Sequence, residues 1–437
     1  MSINDTCGWI EQTGQWKQYP SLYPKLSKNQ LADWVVIGAG YTGIAAARRI
    51  AELEPDKRIM LIDGKQPGQG ASARNSGFAV AYETPGHAQI YTKAGRESFM
   101  ARHTIDRAGV AEVERLVNKH QISCDWSRTG SIHAAVDPKN FNAISKHHHS
   151  FADMGIESTL LNQQQLKARL GTDHYGVGVY CEGGALLQPA ALVKGLLESL
   201  PKQIEIYAES PVIGIEPGRD STVTIKLEAG EIRAKKVIVG VNAFLPRLGL
   251  AQNRVFPLAL TASLTRCLND DELKEMQGVK PWGVLSPQAL GATLRFTADK
   301  RLLIRNTAEY ISGIDSNQLQ KRQQLHQSGL QKRFPWLGAD AIETTWSGQI
   351  CISRNSRPVF GELVKNVFAS GCYNASGISK GNIMGKLIAE HAVGHTSELG
   401  GLARSLATPS WIPPKWIFSP LAKMRLNSDR SKGLSET

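Results

Sequence analysis

A chain of 437 residues can bury a substantial core in two or more domains, and its net charge of +12 comes from 51 Lys and Arg against 39 Asp and Glu. The basic residues are scattered and form no nucleic-acid motif, which excludes that partner class and leaves only a general preference for anionic ones. Six dispersed cysteines without a CxxC pair, no signal peptide and no apolar run long enough to cross a bilayer together suggest a cytoplasmic protein with free thiols.

Residues 1–32 carry Trp9, Trp16, Tyr19 and Tyr23 interleaved with Pro20 and Pro24, and predict an irregular arm packed on the surface by its aromatics. Trp34-Val35-Val36-Ile37 then reads as a short buried strand. It runs into Gly38-x-Gly40-Tyr41-Thr42-Gly43, and a helix follows from Ile44 to Glu52. Such glycines allow a tight turn and close backbone approach to a pyrophosphate, and the helix N-terminus offers free N–H groups to the phosphates. A second buried strand, Arg58 to Ile62, ends in Asp63-Gly64 about 20 residues past the last glycine, where an acid binds a ribose hydroxyl. An acid there favours NAD or FAD over NADP.

Within a few residues comes Gly68-Gln69-Gly70-Ala71-Ser72-Ala73-Arg74-Asn75-Ser76-Gly77. Read alone, it sets a charge and several small hydrogen-bonding groups beside the predicted phosphate site. The segment resembles the second FAD motif of the D-amino acid oxidase, glycine oxidase and sarcosine oxidase family of flavoenzymes. There these groups sit at the flavin diphosphate and ring, so the resemblance implies FAD.

A polar helical stretch from Ile90 to His120 follows, with residues 101–117 patterned to bury one face. Cys124 to Val136 reads as strand, turn at Gly130 and strand, His148 to Leu170 as helix and loop, and Gly176 to Tyr180 as another strand. The run His147-His148-His149 cannot turn three rings to one ion from a regular element, so no metal site is expected and a solvated surface is the reading. Pro189 opens a helix through Leu200. A small meander is expected from Ile204–Tyr207, Val212–Ile215, Thr222–Leu227 and Ile232–Ala234. Lys236 to Asn242 is a buried strand returning to the nucleotide sheet, and Asn242 is either a cofactor contact or a turn residue. Strands at Phe256–Arg266, Trp282–Leu285, Ala292–Phe296 and Arg301–Ile304, then an amphipathic helix Ser316–Phe334, make a second visit to the other domain.

The resemblance returns at Trp346-Ser-Gly348 through Pro358-Val-Phe-Gly361, and again from Asn366 to Gly381. In the family the second of these is the closing strand–loop–helix that holds the flavin. Carried over, it implies Gly371, Asn374, Ser376, Gly377, Ile378 and Ser379 as cofactor contacts, with Val212 from the meander. Met384, Leu387 and Ile388 at helical spacing are read as core. The expected fold is α/β with an α+β second domain. A Rossmann-like FAD-binding domain (33–90, 184–250 and 345–400) carries a discontinuous antiparallel-sheet substrate domain (91–183 and 251–344), with a tail at 401–437. The layout looks closest to the γ-glutamylputrescine oxidase-like amine oxidases.

The family implies hydride transfer from an amine-bearing carbon to flavin N5, with the imine then hydrolysed to a carbonyl compound. Glycine and sarcosine oxidases resemble one another in holding the substrate carboxylate with a basic residue, in glycine oxidase an arginine just after Trp-x-Gly. Here that place reads Gln349, Ile350 and Cys351. An α-amino acid loses its clamp there; Arg254, Arg295, Arg305 and Arg354 read first as surface charges, although one of them could supply a clamp. A primary amine of the polyamine-catabolic type fits better, and an anionic far end, as in γ-glutamylputrescine, could meet Arg295 or Arg305. Tyr373 is the third candidate for substrate contact. Cys351 is either a thioether link to the flavin, as in some sarcosine oxidases, or a small buried hydrophobe. The oxygen-activating lysine of sarcosine oxidases is not evident in Arg301–Arg305, so oxygen and a quinone or other electron-transfer acceptor both stay open. The tail from Trp411 to Arg425 is read as a packed strap, or as a peripheral contact with the inner face of the membrane. Two further readings are an amino-acid or N-methyl amino-acid dehydrogenase, and a flavin-bearing accessory subunit without its own small substrate.

Overall fold

The apolar run Trp34–Ile37 is the inner half of a strand that begins earlier, Gln30–Ile37, and this strand stands at the centre of an eight-stranded sheet. The computed structural model describes residues 5–14, 23–83, 91–310, 313–406 and 408–437, so Trp16, Tyr19, Pro20 and Ile90 lie outside the described residues. Ile59–Ile62 and Gly230–Val239 flank the central strand in parallel, and Ile204–Tyr207 and Val367–Gly371 extend the sheet in parallel beyond them. Both faces are covered, as continuous apolar runs require. Trp34, Val36, Leu61 and Ile238 face the nucleotide helix (Tyr41–Leu53) and the closing helix (Gly377–Val393), whose Met384, Leu387 and Ile388 lie in the same core. Val35, Ile37, Met60 and Val239 form a second core on the other side.

The meander differs from expectation. Ile204–Tyr207 joins the parallel sheet, and Ile232–Ala234 and Lys236–Val239 are one continuous strand of 10 residues. Its first half is covered on one face and alternates, while its last three residues are buried on both faces, so the sequence reads as two elements.

The second sheet also has eight strands. Their order is Ile342–Ser353, Val255–Thr265, Leu302–Glu309, Thr293–Phe296, Trp282–Leu285, Ser131–Ala135, Val177–Cys181 and Ser158–Asn162. Neighbours are antiparallel except where Trp282–Leu285 meets Ser131–Ala135. Only the second half of Cys124–Val136 is a strand. Asp125 turns left-handed at φ 52°, and Ser127 makes an isolated bridge to Leu186. The stretch read as helix and loop hides the edge strand Ser158–Asn162 between two helices, Phe141–Asp153 and Gln163–Leu170. The strand carrying Trp346 and Gly348 pairs along its whole length with Val255–Thr265, so this part of the 345–400 block belongs to the second sheet. The arm also differs: Gly8–Gln12 is a short helix, and Trp9 is 1 % exposed inside the core rather than on the surface.

Alternation divides the second sheet into two faces. Leu294, Phe296, Leu302 and Ile304 pack against Leu330 and Phe334 at the end of the helix Ser316–Arg333. Ala262, Leu264, Leu303 and Trp346 turn the other way, into the core shared with the nucleotide helix. On the helix side His326 is fully buried, with Nδ1 2.7 Å from Ser263 Oγ, and burial together with Arg322 and Arg305 pushes its pKa down to about 3.

In the unfolded chain that imidazole takes up a proton near its ordinary value of 6.5. The stability it contributes is complete above that pH and is lost as the pH falls toward 3. Between pH 7 and pH 5 the loss through this one residue is about 2 kcal/mol. Urea unfolding at the two pH values is expected to show a drop smaller by that amount in His326→Gln. An equal drop in both proteins contradicts the reading.

Candidate active site

The nucleotide turn is built by contacts that no larger residue allows. A Cβ on Gly43 would stand 1.7 Å from the Gly38 carbonyl oxygen, so the helix can begin this close to the strand only with glycine there. The helix starts at Gly40 without a side-chain cap, which leaves its first N–H groups to outside acceptors. One of them, Tyr41 N–H, donates to Ser72 Oγ at 3.1 Å, and Thr42 Oγ1 lies 2.8 Å from the Tyr373 hydroxyl. At the end of Ile59–Ile62 the Asp63 carboxylate accepts from Ala39 N–H at 2.8 Å and Lys65 N–H at 2.9 Å. Burial raises its pKa and those two donors oppose the rise. Gly64 packs on Pro211, and Val212 follows directly.

The Gly68–Gly77 loop is held from outside through its carbonyls. Trp346 Nε1–H donates to Arg74 O at 3.0 Å and Trp9 Nε1–H to Asn75 O at 2.9 Å, with the two rings edge to face at 6.2 Å. Arg295 donates to Ser76 O, Gly77 O and Leu187 O, and its guanidinium lies over the Trp9 ring. Gly77 has φ +76°, and a Cβ there would come within 2.0 Å of Arg295 Nη1. The side chains read as diphosphate donors also shape the loop. Asn75 bonds Ala71 O, Ser72 O and Gly77 N–H, while the Arg74 guanidinium spans Asp5, Gln69 O and Ser347 O.

The third segment closes the site at the same carboxyl end of the parallel strands. Cys372, Asn374 and Ala375 all have positive φ, a strained run that persists because its surroundings fix it. Asn242 Oδ1 accepts from Cys372 N–H at 2.9 Å, and Asn374 Oδ1 accepts from Ser353 N–H at 3.0 Å. Gly371 sits against Asn242, which ties the ends of two neighbouring strands. The closing helix begins at Ser376 without a side-chain cap, and a Cβ on Gly377 would meet no protein atom within 4 Å. Ile378 is core, and Ser379 Oγ–H donates to Val80 O at 2.8 Å.

Strand register sorts the substrate-contact candidates. Arg295 lies opposite Leu303, and Thr293 opposite Arg305, so both arginines share the face turned toward the nucleotide fold. Arg295 is spent on the loop carbonyls. Arg305, one pair further along, donates to Thr293 Oγ1 at 2.6 Å, and burial alone pushes its pKa down to about 10. Among the described residues no carboxylate offsets that shift. Arg254 donates to Pro409 O and Arg354 is exposed. The Tyr373 hydroxyl is engaged by Thr42 and by Ser370 Oγ at 3.0 Å, beneath the nucleotide turn rather than over the sheet, and burial pushes its pKa up to about 12. Gly348 and Ile350 share the Trp346 face. Cys351 lies on the opposite face, 1 % exposed, a free thiol in hydrogen-bond contact with that of Cys372. His148 and His149 engage Ser158 and Ser145 O. Trp9 and its hold on Asn75 escape sequence reasoning, because a helix of five residues has no periodicity to orient a side chain.

The DAO family, described as FAD dependent oxidoreductase, matches residues 33–391. The chain belongs to this family. It is 24% identical over 399 residues to the Probable oxidoreductase OrdL of Haemophilus influenzae, covering 89% of each chain. It is 25% identical over 375 residues to the Gamma-glutamylputrescine oxidoreductase of Escherichia coli strain K12, covering 84% of this chain and 85% of that one. The crystal structure of glycine oxidase from Geobacillus kaustophilus superposes with a TM-score of 0.70 at 16% identity, over 84% of this chain and 96% of that one, a likeness of fold. The oxidoreductase is an FAD enzyme, and its residues fit the cofactor: two helix N-termini without side-chain caps lie at the carboxyl end of the parallel strands, beside an acid at the end of the second strand.

If Asp63 holds the ribose, Asp63→Ala weakens FAD binding about tenfold or more, a loss of about 1.5–3 kcal/mol. Titrating the apoprotein with FAD by fluorescence measures this, and unchanged affinity would count against that contact.

Proposed function

We propose that the oxidoreductase oxidises the C–N bond of a primary amine whose far end is anionic, of the γ-glutamylputrescine type. The observation that carries this reading is Arg305, a guanidinium on the face of the second sheet turned toward the nucleotide fold, with Thr293 Oγ1 as its hydrogen-bond partner and, among the described residues, no acid offsetting its desolvation. A cation so placed is satisfied by an anionic ligand group. The residues after Trp346-Ser-Gly348 offer the reacting end no cation, since Ile350 shares the Trp346 face. Leu260 opposite Gly348 and Leu258 opposite Ile350 complete an apolar, partly accessible wall. The name of the Escherichia coli relative supports the same substrate class.

Bound FAD supplies the hydride acceptor. The chain's own residues bind and orient: Arg305 and Thr293 fix the anionic end, and the apolar wall excludes water and keeps the amine neutral. As the hydride leaves the α-carbon, the nitrogen lone pair closes the C=N bond, and water converts the released iminium to aldehyde and ammonium. Nothing in this sequence requires a side-chain base. The electron pair then passes to oxygen or to a quinone-type acceptor. Arg305 also favours a second reading, in which it holds the α-carboxylate of an amino acid or N-methyl amino acid.

Arg305→Ala is expected to raise KM for γ-glutamylputrescine roughly 10- to 100-fold, the worth of a charge-assisted hydrogen bond, with kcat little changed. Arg305→Lys restores part of the loss, and a neutral-tailed monoamine is affected much less. Unchanged KM in Arg305→Ala sinks the assignment.

A further inference from the structure

The terminal helix, Lys415–Gly433, is fixed to the protein by one face and by its far end. Phe418 packs on Phe256 and Tyr310 with ring centroids 4.8 and 5.7 Å away, and Arg430 donates to Ala308 O. The turn that follows plants Glu436, 1 % exposed, where its carboxylate accepts from Val136 N–H, Asp137 N–H and Asn140 Nδ2–H. This much is the packed strap. At 3.6 residues per turn, the opposite side of its first half carries Trp416, Ile417, Pro420, Leu421 and Met424 on one stripe.

That stripe is the exposed one. Trp416 is 77 % exposed, Leu421 55 % and Met424 69 %, and Trp411 just ahead of the helix is 56 % exposed. Charge borders it, with Lys415 at its start and Lys423 and Arg425 on its two flanks. Residues 411–437 contain five Lys and Arg (415, 423, 425, 430, 432) against two acids, Asp429 and Glu436, a net of +3. Asp429 pairs with Arg425 and Glu436 is buried, so neither acid repels an anionic partner strongly.

We propose that this face is a peripheral docking surface for an anionic lipid bilayer. Trp416, Leu421 and Met424 enter the boundary between headgroups and acyl chains, and Lys415 and Lys423 meet the acidic headgroups. The composition favours lipid over protein: lysine is depleted from protein–protein interfaces, while tryptophan with flanking lysine belongs to the bilayer interface. The net charge of +12 on the whole chain acts in the same direction. The stripe covers only about three turns, and among the described residues no helix is long and apolar enough to cross a membrane, so the helix lies on the surface. Phe256 is the second residue of the strand that carries Leu258, and Tyr310 directly follows the strand that carries Arg305. Docking therefore brings the substrate sheet to the bilayer, within reach of a lipid-soluble electron acceptor.

The test is co-sedimentation of the full-length holoenzyme with vesicles of phosphatidylglycerol and phosphatidylethanolamine, beside vesicles of phosphatidylcholine alone. The wild type is expected to pellet with the anionic vesicles. The double variant Trp416→Glu/Leu421→Glu is expected to bind them at least about tenfold more weakly, with unchanged flavin content and unchanged turnover on a soluble dye acceptor. A wild type that stays in the supernatant overturns the proposal, as does a double variant that pellets equally well. Light scattering that shows a wild-type dimer dissolved by the two substitutions assigns the face to a second copy instead. Because binding is read without substrate, failure here leaves the amine reading untouched.

Discussion

Four successive backbone carbonyls, Arg74 to Gly77, accept hydrogen bonds from three side chains that come from three distant parts of the chain. Trp9 reaches them from the N-terminal helix, Arg295 and Trp346 from two strands of the second sheet. Indole and guanidinium groups only donate, so a buried carbonyl is their natural partner and an unmet one is costly. The loop that turns toward the nucleotide side therefore takes its shape from the substrate sheet behind it. The glycine at residue 77 is part of the same arrangement, because any side chain there would occupy the place of Arg295 Nη1.

That constraint divides two arginines of the sheet, Arg295 buried and Arg305 half-buried. They sit on one face, one cross-strand pair apart, and burial lowers the pKa of each to about 10. Arg295 offsets its burial with three carbonyls, the Trp9 ring and the nearby charges of Asp125 and Asp299. Arg305 has Thr293. A charge whose partner is a neutral hydroxyl is less well compensated than one met by several carbonyls, and an anionic ligand group is the complement proposed for it. The proposed substrate contact is thus assigned to the arginine that the loop does not use.

The parts of this molecule that are legible in its sequence are those with local causes. The strand–turn–helix from Trp34 to Leu53 follows from an apolar run and glycines that the backbone itself demands, and the closing strand and helix follow similarly. Long-range partners are not legible. Arg74 stands beside the predicted phosphate site in sequence, yet its guanidinium goes to Asp5 and Ser347, which nothing local announces. Arg295 and Arg305 look equivalent until strand register separates their surroundings. The edge strand Ser158–Asn162 has one buried residue, so it carries no alternation to read. Trp9 gives no sign that it reaches the core.

Anaerobic titration of the purified holoenzyme removes the unknown acceptor and leaves only the reaction of substrate with flavin. Amines and amino acids are added separately while the flavin absorbance is followed. Bleaching by γ-glutamylputrescine, at higher concentrations in Arg305→Ala and not by α-amino acids, is the expected result. Bleaching by α-amino acids alone would contradict the amine assignment, and a flavin that no free amine or amino acid reduces would indicate an accessory subunit.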